Sequence, residues 1–400
     1  MIRSTQTTTK FTNKQKLVNL SIFINEYRNV VSKFVDLLWN EDKIPTLLPK
    51  ETTKQVNTWL SARMLQCAGK QASAIVRGTK KKHKARLYMI GKLNKQGQYK
   101  KSRKLLAIHN KRSLSKPDIN LVNPELDSRF IHIDMDNHTS FDGYVTISSI
   151  GNKMKIQIPF KRNRHFNKLN KRGKIKSGIR LSKENITFMF DLPEVEKQIK
   201  GTTLGIDIGK CETISCSNGF QTKPNNHNHD LNSILKIMSK KKKGSRGFKR
   251  VEQHRTNYIN WSINQLNLTE VKEVKLERIK NMRRGRRSSR LLSHWTYTTI
   301  FDKLNSICEE QGVLVSQVTP TYTSQRCSKC GWTRKSNRKG KQFKCGKCGF
   351  THDSDLNAAT NISLDLKPIG KKERQLNLNR TGFYWLVGKE PIVPCVKKAK

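Results

Sequence analysis

Two close pairs of cysteines lie in the last quarter of the chain, each with the spacing Cys-x-x-Cys. They are Cys327, Cys330, Cys345 and Cys348, with fourteen residues between the pairs. Two such turns can present four thiolates tetrahedrally to Zn²⁺, and Gly331 and Gly349 follow them where the chain must bend tightly. Four protein ligands leave no open position for a substrate, so the sequence predicts one structural zinc ion. The total of nine cysteines is odd, which argues against a disulfide framework.

Three acidic residues form a second set that could do chemistry. Asp207 lies within an apolar strand pattern, Glu277 ends another strand pattern, and Asp355 opens a helical pattern. Phosphodiester hydrolysis commonly uses two metal ions roughly 4 Å apart, and Mg²⁺ prefers oxygen ligands. Each acid taken alone is equally compatible with a surface or capping role. Asp353, two residues before Asp355, is an alternative third ligand at this point.

The charge of the chain favours a polyanionic partner. It has 400 residues, with 80 Lys and Arg against 30 Asp and Glu, for a formal net charge of +50. Neutralised phosphates release condensed counterions, which makes long nucleic acid the preferred partner. The sequence has no apolar span near the length that crosses a bilayer and no apolar leader, so we expect no membrane partner. We expect a cytoplasmic, nucleoid-associated prokaryotic protein that is not secreted, with a monomer favoured.

The apolar periodicity divides the chain into regions. Steps of three and four predict helices over 17–39 and 52–77, and alternation between about 117 and 192 predicts short strands that form a small barrel. From 201 onwards strand and helix patterns alternate, as in an α/β sheet. Helices are predicted over 254–267 and 289–310, with a strand between them ending at Glu277 and another over 313–318.

Smaller features complete the second half. The ribbon is an insert before the last helix, for which Ser354 or Asp355 is a plausible cap. The segment 225–230, which reads NHNHD after its first Asn, is interpreted as a polar loop rather than a nuclease or metal motif. Basic clusters in both halves of the chain are candidate nucleic-acid contacts. These candidates are Lys80, Lys81, Lys82, Lys241, Lys242, Arg283, Arg284, Arg286 and Arg287.

Four stretches together resemble a known family. They are GIDIG around Asp207, KLERIKNM around Glu277, TYTSQRCSKCGW at 321–332 and DLNAATNI at 355–362. In this order they are similar to the RuvC-like nuclease of transposon-encoded TnpB proteins and of the compact type V CRISPR effectors related to them. The resemblance covers about residues 201–365. It implies that Asp207, Glu277 and Asp355, rather than Asp353, hold two catalytic Mg²⁺ ions.

The resemblance also implies an α+β multidomain architecture. A helical recognition lobe and a small wedge β-barrel would precede an RNase H-like α/β RuvC domain with an inserted zinc ribbon. The implied segments are 1–16 (first barrel strand), 17–115 (helical lobe), 116–200 (barrel), 201–320 (nuclease, first part), 321–350 (ribbon), 351–375 (nuclease, last part) and 376–400 (basic tail).

The implied activity is RNA-guided cleavage of DNA. Pairing with a guide RNA would choose the double-stranded target, and the protein would read a short DNA motif beside it. Two alternatives stay open at this stage. One is a guided DNA-binding repressor that does not cut, although its relatives would be expected to lose one of the acids. The other is a general basic RNA-binding protein with a zinc ribbon, which leaves the ordered acidic motifs unexplained.

Overall fold

The computed structural model describes residues 1–111, 114–135, 139–279, 294, 296–370, 373–375 and 381–392. The chain divides into two units, Met1–Glu194 and Val195–Lys400. Within the described ranges, no helix combines the length and apolarity needed to cross a membrane.

The helices of the first unit follow the predicted apolar stripes but differ at their ends. They are α1 (Lys14–Trp39), α2 (Lys50–Lys54), α3 (Ala62–Lys95), α4 (Tyr99–Lys111) and α5 (Arg164–Arg172). The stripe of α1 is fully buried and packs against α3. The predicted helix over 52–77 is divided, because the Ser61 hydroxyl accepts the Met64 N–H at 3.2 Å and starts α3 there. Lysine, arginine and alanine favour helix, so α3 continues through the basic stretch to Lys95.

The strands of the first unit form two separate sheets rather than the predicted barrel. They are β1 (Ile2–Thr8), β2 (Glu125–Leu126), β3 (Ile131–Asp134), β4 (Gly143–Ile147), β5 (Ile156–Phe160), β6 (Lys174–Leu181) and β7 (Asn185–Asp191). One sheet has the order β1-β7-β6-β2 and the other β3-β4-β5, all antiparallel. No closed barrel is present among the described strands. Alternation specifies which side chains are buried, but it does not specify whether sheet edges join.

The polar N-terminal segment supplies a strand. β1 pairs with β7 over its whole length, from Ile2 opposite Asp191 to Thr8 opposite Asn185. Thr5 and Thr7 occupy its buried face with exposures of 5% and 3%. Threonine is β-branched and therefore suits a strand. Because its side chain carries a hydroxyl, a pattern based on apolar residues alone does not detect this alternation.

The second unit is an α/β arrangement with a small insert. Its elements are β8 (Thr202–Asp207), β9 (Ser215–Cys216), α6 (Leu231–Ser239), α7 (Arg246–Asn264), β10 (Val271–Glu277), α8 (Tyr297–Glu310), β11 (Leu314–Val318), β12 (Trp332–Thr333), β13 (Arg338–Lys339), β14 (Gln342–Lys344), β15 (Thr351–Asp353), α9 (Ser354–Ser363) and β16 (Phe383–Tyr384). The main sheet has the order β11-β10-β8-β9, with β8, β10 and β11 parallel and β9 antiparallel. Its apolar residues share one core with side chains of α6, α7 and α8.

A glycine allows α9 to approach the centre of this sheet. A Cβ at Gly205 in β8 would lie 2.1 Å from the Ala359 carbonyl oxygen and 2.4 Å from the Ser363 nitrogen, both in α9. Both atoms belong to the backbone, so neither can rotate away. Gly205 and Asp207 alternate onto the same face of β8, and the close approach therefore brings α9 to the face that carries Asp207.

We expect Gly205→Ala to lower the free energy of unfolding by about 1–3 kcal/mol, because the added methyl group overlaps the α9 backbone. The matched control is Gly247→Ala in α7, where the nearest atom, a Lys241 side-chain carbon, is 3.8 Å away. Urea denaturation measures both changes. Equal unfolding midpoints for the two variants would contradict the close packing of α9 on β8.

Candidate active site and zinc ribbon

The three predicted acids lie at the ends of three elements of the second unit. Asp207 ends β8 and Glu277 ends β10, and these neighbouring parallel strands pair up to Ile206 with Leu276. Asp355 is the second residue of α9, the helix packed over β8. Burial, and then the charges of Glu277 and Asp355, raise the pKa of Asp207 from 3.8 to about 7, with Arg338 opposing them. The fold therefore brings Glu277 and Asp355 close enough for their charges to act on Asp207.

Glu277 is held by two hydroxyl groups. The Thr323 hydroxyl donates a short hydrogen bond to its Oε1, and the Tyr297 hydroxyl donates to its backbone carbonyl at 2.7 Å. Burial raises the pKa of the Glu277 carboxyl, while the Thr323 hydrogen bond and the Arg338 charge act in the opposite direction. The Thr323 hydrogen bond orients the carboxylate, and the Tyr297 hydrogen bond fixes the backbone that carries it.

Asp355 is 7% exposed and paired with two cations that the sequence analysis did not single out. Arg338 donates to its Oδ1 at 2.9 Å, and Lys341 donates to its Oδ2 at 2.6 Å. Lys341 also forms an ion pair with Glu212. The run Arg-Lys-Gly-Lys at 338–341 marks a basic turn within the ribbon, but sequence alone does not show that it folds back onto α9.

Asp353 has a different role from Asp355. Its Oδ1 accepts the backbone N–H groups of Asp355 and Leu356 at 2.9 and 3.0 Å, so Asp353 is the N-cap of α9. The prediction of Ser354 or Asp355 as the cap was wrong, because the helix begins one residue earlier than its apolar pattern. The same Asp353 oxygen accepts a hydrogen bond from Gln221 at 3.1 Å.

The chemistry of the acidic site fits divalent cations. It offers hard carboxylate oxygens, and the charges of Glu277 and Asp355 add to the effect of burial in raising the pKa of Asp207. Among the described residues, only the four cysteines bring three or more ligand atoms within 4.8 Å of one another. The oxygen atoms of the three carboxylates are thus spaced more widely than the ligands of one shared ion. The carboxylate of Asp355 is also paired with Arg338 and Lys341.

The four predicted cysteines converge on one point. Their sulfur atoms all lie within 4.8 Å of one another, with Sγ–Sγ distances of 3.7 Å for Cys327 with Cys348 and 3.6 Å for Cys330 with Cys345. A tetrahedron of Zn–S bonds about 2.3 Å long requires S–S distances of about 3.8 Å. Gly331 and Gly349 have φ values of +77° and +71°, the left-handed conformation that the turns require. The cluster therefore has the dimensions of a zinc site.

Comparison with known proteins identifies relatives for this half of the chain. A family model described as "Cas12f1-like, TNB domain" matches residues 297–362. The CRISPR-associated endodeoxyribonuclease Cas12f1 of Sulfoacidibacillus thermotolerans is 42% identical over 77 residues, which are 19% of this chain and 18% of that protein. A protein of the same name from Syntrophomonas palmitatica is 42% identical over 50 residues, 12% of this chain and 10% of that protein. These matches span less than a fifth of either relative.

The fold extends the likeness to most of the chain. The solved mini-RNA-guided endonuclease CRISPR-Cas_phi3 superimposes with a TM-score of 0.51 at 10% identity, covering 92% of this chain and 93% of that one. The matched segments and this fold support a likeness to the TnpB-like family of RuvC nucleases. The resemblance seen in the four sequence stretches is thus confirmed. Two of those stretches, at 321–332 and 355–362, lie inside the matched TNB segment.

Buried polar side chains connect the ribbon to α9. Arg326, 3% exposed, donates to Asn361 Oδ1 at 2.6 Å and to the Trp385 carbonyl at 2.7 Å. Asn361 donates to the carbonyls of Thr323 and Arg326, while Asn357 accepts the Ser328 N–H at 3.0 Å. The asparagines of DLNAATNI therefore position the segment that carries Thr323, the partner of Glu277.

Part of the segment predicted as a basic tail also belongs to this assembly. In β16, Phe383 and Tyr384 pair antiparallel with Thr333 and Trp332 of β12, and Trp385 donates its backbone N–H to the Gly331 carbonyl at 2.9 Å. Phe383 and Trp385 are buried. The YWL sequence at 384–386, unusual in a basic tail, is explained by this packing.

The candidate nucleic-acid contacts occupy different settings. Lys81 and Lys82 are exposed on α3, whereas Lys80 donates to the Glu41 carbonyl at 2.6 Å. Lys241 and Lys242 are exposed between α6 and α7. The predicted arginines lie outside the described residues; they are Arg283, Arg284, Arg286 and Arg287.

We expect Cys345→Ser to lose most of the bound zinc and to lower the free energy of unfolding by several kcal/mol, because metal binding contributes folding energy. The control is Cys211→Ser, which removes a half-buried thiol outside the cluster. Zinc is measured by elemental analysis of the purified protein. Full zinc content in the Cys345 variant would refute this ligand set.

The carboxylate cluster predicts an inverted pH dependence of stability. The folded pKa of Asp207, about 7, lies above its ordinary value of 3.8, so the folded state keeps a proton that the unfolded state releases. Without divalent metal, stability should therefore fall as the pH rises from about 4 to about 7. Asp207→Asn should remove this fall and raise stability above neutral pH by roughly 1–3 kcal/mol.

The same variant tests metal binding without an activity assay. Added Mg²⁺ should raise the thermal midpoint of the wild-type protein, since a ligand of the folded state stabilises it, and should have little effect on Asp207→Asn. Asp302→Asn, at an exposed position on α8, is the control and should behave as wild type. Parallel pH profiles for wild type and Asp207→Asn would contradict the electrostatic account of the cluster.

Proposed function

We propose that the chain is an RNA-guided DNA endonuclease that hydrolyses phosphodiester bonds at Asp207, Glu277 and Asp355. The observation that carries the proposal is the proximity of these carboxylates, since burial, followed by the nearby charges of Glu277 and Asp355, raises the pKa of Asp207 to about 7. A fold gains no stability from burying repelling anions, so such a cluster indicates a site kept for binding cations. An ordinary surface or capping role does not account for all three positions.

Two Mg²⁺ ions bound here would activate a water molecule and stabilise the leaving oxygen. The protein groups prepare the site for them. Asp207 and Glu277 project from adjacent strand ends, Thr323 fixes the orientation of Glu277, and the N-terminus of α9 places Asp355. The order of parallel β8, β10 and β11 with antiparallel β9 supports an RNase H-like assignment for this sheet.

The ribbon cations offer a second function at the same site. Arg338 and Lys341 balance Asp355 when no metal ion is bound. Both can also donate to phosphate oxygens, for which guanidinium and ammonium groups are well suited. We propose that Arg338 and Lys341 release Asp355 and bind the phosphate backbone when metal ions and substrate arrive. The charges in the site would then stay compensated throughout.

The proposed partners are a guide RNA and double-stranded target DNA. The net charge of +50 supports a long polyanionic partner. The names of the relatives, a CRISPR-associated endodeoxyribonuclease and an RNA-guided endonuclease, support guided DNA cleavage. Recognition of a short adjacent DNA motif belongs to the same proposal, as do contacts from Lys81, Lys82 and Lys242.

The decisive experiment compares Asp207→Ala with Asp302→Ala in cleavage of a target matched to the copurified guide RNA. We expect Asp207→Ala to reduce the Mg²⁺-dependent rate about a thousandfold or more, since metal-ion catalysis contributes several kcal/mol. RNA binding should be unchanged in both variants, and Asp302→Ala should cut normally.

Other results separate the alternatives. Retained cleavage by Asp207→Ala would remove this residue from the catalytic site. Guide-dependent target binding without any cut by the wild-type protein would favour a repressor. Copurification of unrelated RNAs, with no guided binding, would favour a general RNA-binding protein.

A further inference from the structure

The second unit contains a cavity whose lining includes none of the active-site acids. Its volume is about 240 Å³, and it lies between the loop at 225–227 and one face of α7. From α7 it is lined by His254, Asn257, Tyr258 and Trp261. The cavity is smaller than the several hundred cubic ångströms of typical small-molecule sites, so it suits one ring-sized group.

The loop side of the cavity is held in shape by its own hydrogen bonds. The side-chain oxygen of Asn225 accepts the backbone N–H groups of His227 and His229, each at 3.0 Å. The Asn225 N–H donates to the His229 carbonyl at 3.0 Å, and Asn228 adopts a left-handed φ of +59°. The segment is a polar loop as predicted, and the Asn225 side chain holds its shape.

The helix side presents a flat aromatic surface. Trp261 is 39% exposed, and its ring lies 5.5 Å from that of buried Tyr258, whose hydroxyl donates to the Lys223 carbonyl at 3.3 Å. Burial, and then the charges of His229 and His227, lower the pKa of His254, so its imidazole is uncharged at neutral pH. An exposed indole beside neutral imidazole and amide groups favours a planar, uncharged ligand with polar edges.

The surroundings of the cavity favour a ligand attached to phosphates. Arg250 lies one helical turn before His254 on the same face of α7, and Lys223 is exposed at the start of the loop. Aromatic stacking combined with nearby cations is the usual arrangement for unpaired strands of nucleic acid.

We propose that this cavity binds a single unpaired nucleobase, stacked on Trp261, with its phosphates facing Arg250 and Lys223. The base could come from an RNA strand or from a DNA strand that is not paired. The proposal rests on the nucleic-acid binding part of the proposed function and not on cleavage. All tests can therefore be run without Mg²⁺, and their failure is distinct from a failure of the nuclease assay.

The first test locates the base by photocrosslinking. Short single strands of RNA and of DNA, carrying iodouridine or iododeoxyuridine, are bound to the full-length protein and irradiated. We expect a crosslink in the tryptic peptide Thr256–Lys272, which contains Tyr258 and Trp261. A crosslink with RNA alone assigns the base to RNA, and one with DNA alone assigns it to DNA. Crosslinks confined to other peptides would overturn the proposal.

The second test measures whether the base and Trp261 act together. Replacing the crosslinked nucleotide by an abasic site should weaken binding to the wild-type protein about five- to a hundredfold, the usual contribution of one stacked base. The same replacement should have little further effect on Trp261→Ala, whereas Trp261→Phe should retain much of the difference. If the abasic replacement and Trp261→Ala each weaken binding by independent factors that multiply in this cycle, the base does not stack on Trp261.

The matched control is Ile237→Ala on α6. Ile237 is 38% exposed, close to the 39% of Trp261, but it does not line the cavity. This control should bind the intact and abasic strands with the wild-type difference. Thermal unfolding of each variant verifies that Trp261→Ala is folded. If Ile237→Ala reduces the difference in affinity between the intact and abasic strands as much as Trp261→Ala does, that difference is not specific to the cavity.

Discussion

Three carboxylates that repel one another, one of them buried and two half-buried, must be held near one another, and much of the second unit follows from that requirement. Two of them end neighbouring parallel strands, where the carboxyl ends of strands in an α/β sheet meet. The third arrives on a helix that has to cross directly over the sheet. Gly205 makes the crossing possible because even a methyl group there would overlap the helix backbone.

The four-cysteine ribbon is an insert in the second unit that also contributes to the proposed active site. Its basic turn supplies the two cations on Asp355, and the segment that leads into it supplies the hydroxyl on Glu277. Arg326 and the asparagines of α9 join the two parts through buried hydrogen bonds. Zinc bound at the four cysteines would therefore stabilise more than the ribbon fold. It would fix the groups that orient and balance the three acids, so the cysteine cluster and the acidic cluster would be energetically connected.

Sequence reasoning was strongest where one periodic pattern or one spacing determines the outcome. The stripe of α1, the strand at Asp207 and the convergence of the four cysteines follow from local patterns. The closed barrel was wrong, because edge pairing depends on contacts distant in the chain. Arg338 and Lys341 were missed for the same reason, since the sequence of a basic turn does not indicate which acidic residue it contacts. The cap of the last long helix was predicted at Ser354 or Asp355 instead of Asp353, because helix ends are less regular than helix interiors.

The long separation between β1 and β7 has a consequence for how the first unit is made. The strand at Ile2–Thr8 is synthesised early, yet its partner ends at Asp191. At ordinary rates of translation, roughly ten to forty seconds separate the two strands. During that interval β1 has no partner strand, and the apolar face of α1 has no completed sheet to pack upon. The growing chain thus carries an unpaired, threonine-rich strand through most of the synthesis of this unit. We expect protection by ribosome-associated chaperones to matter most during this period.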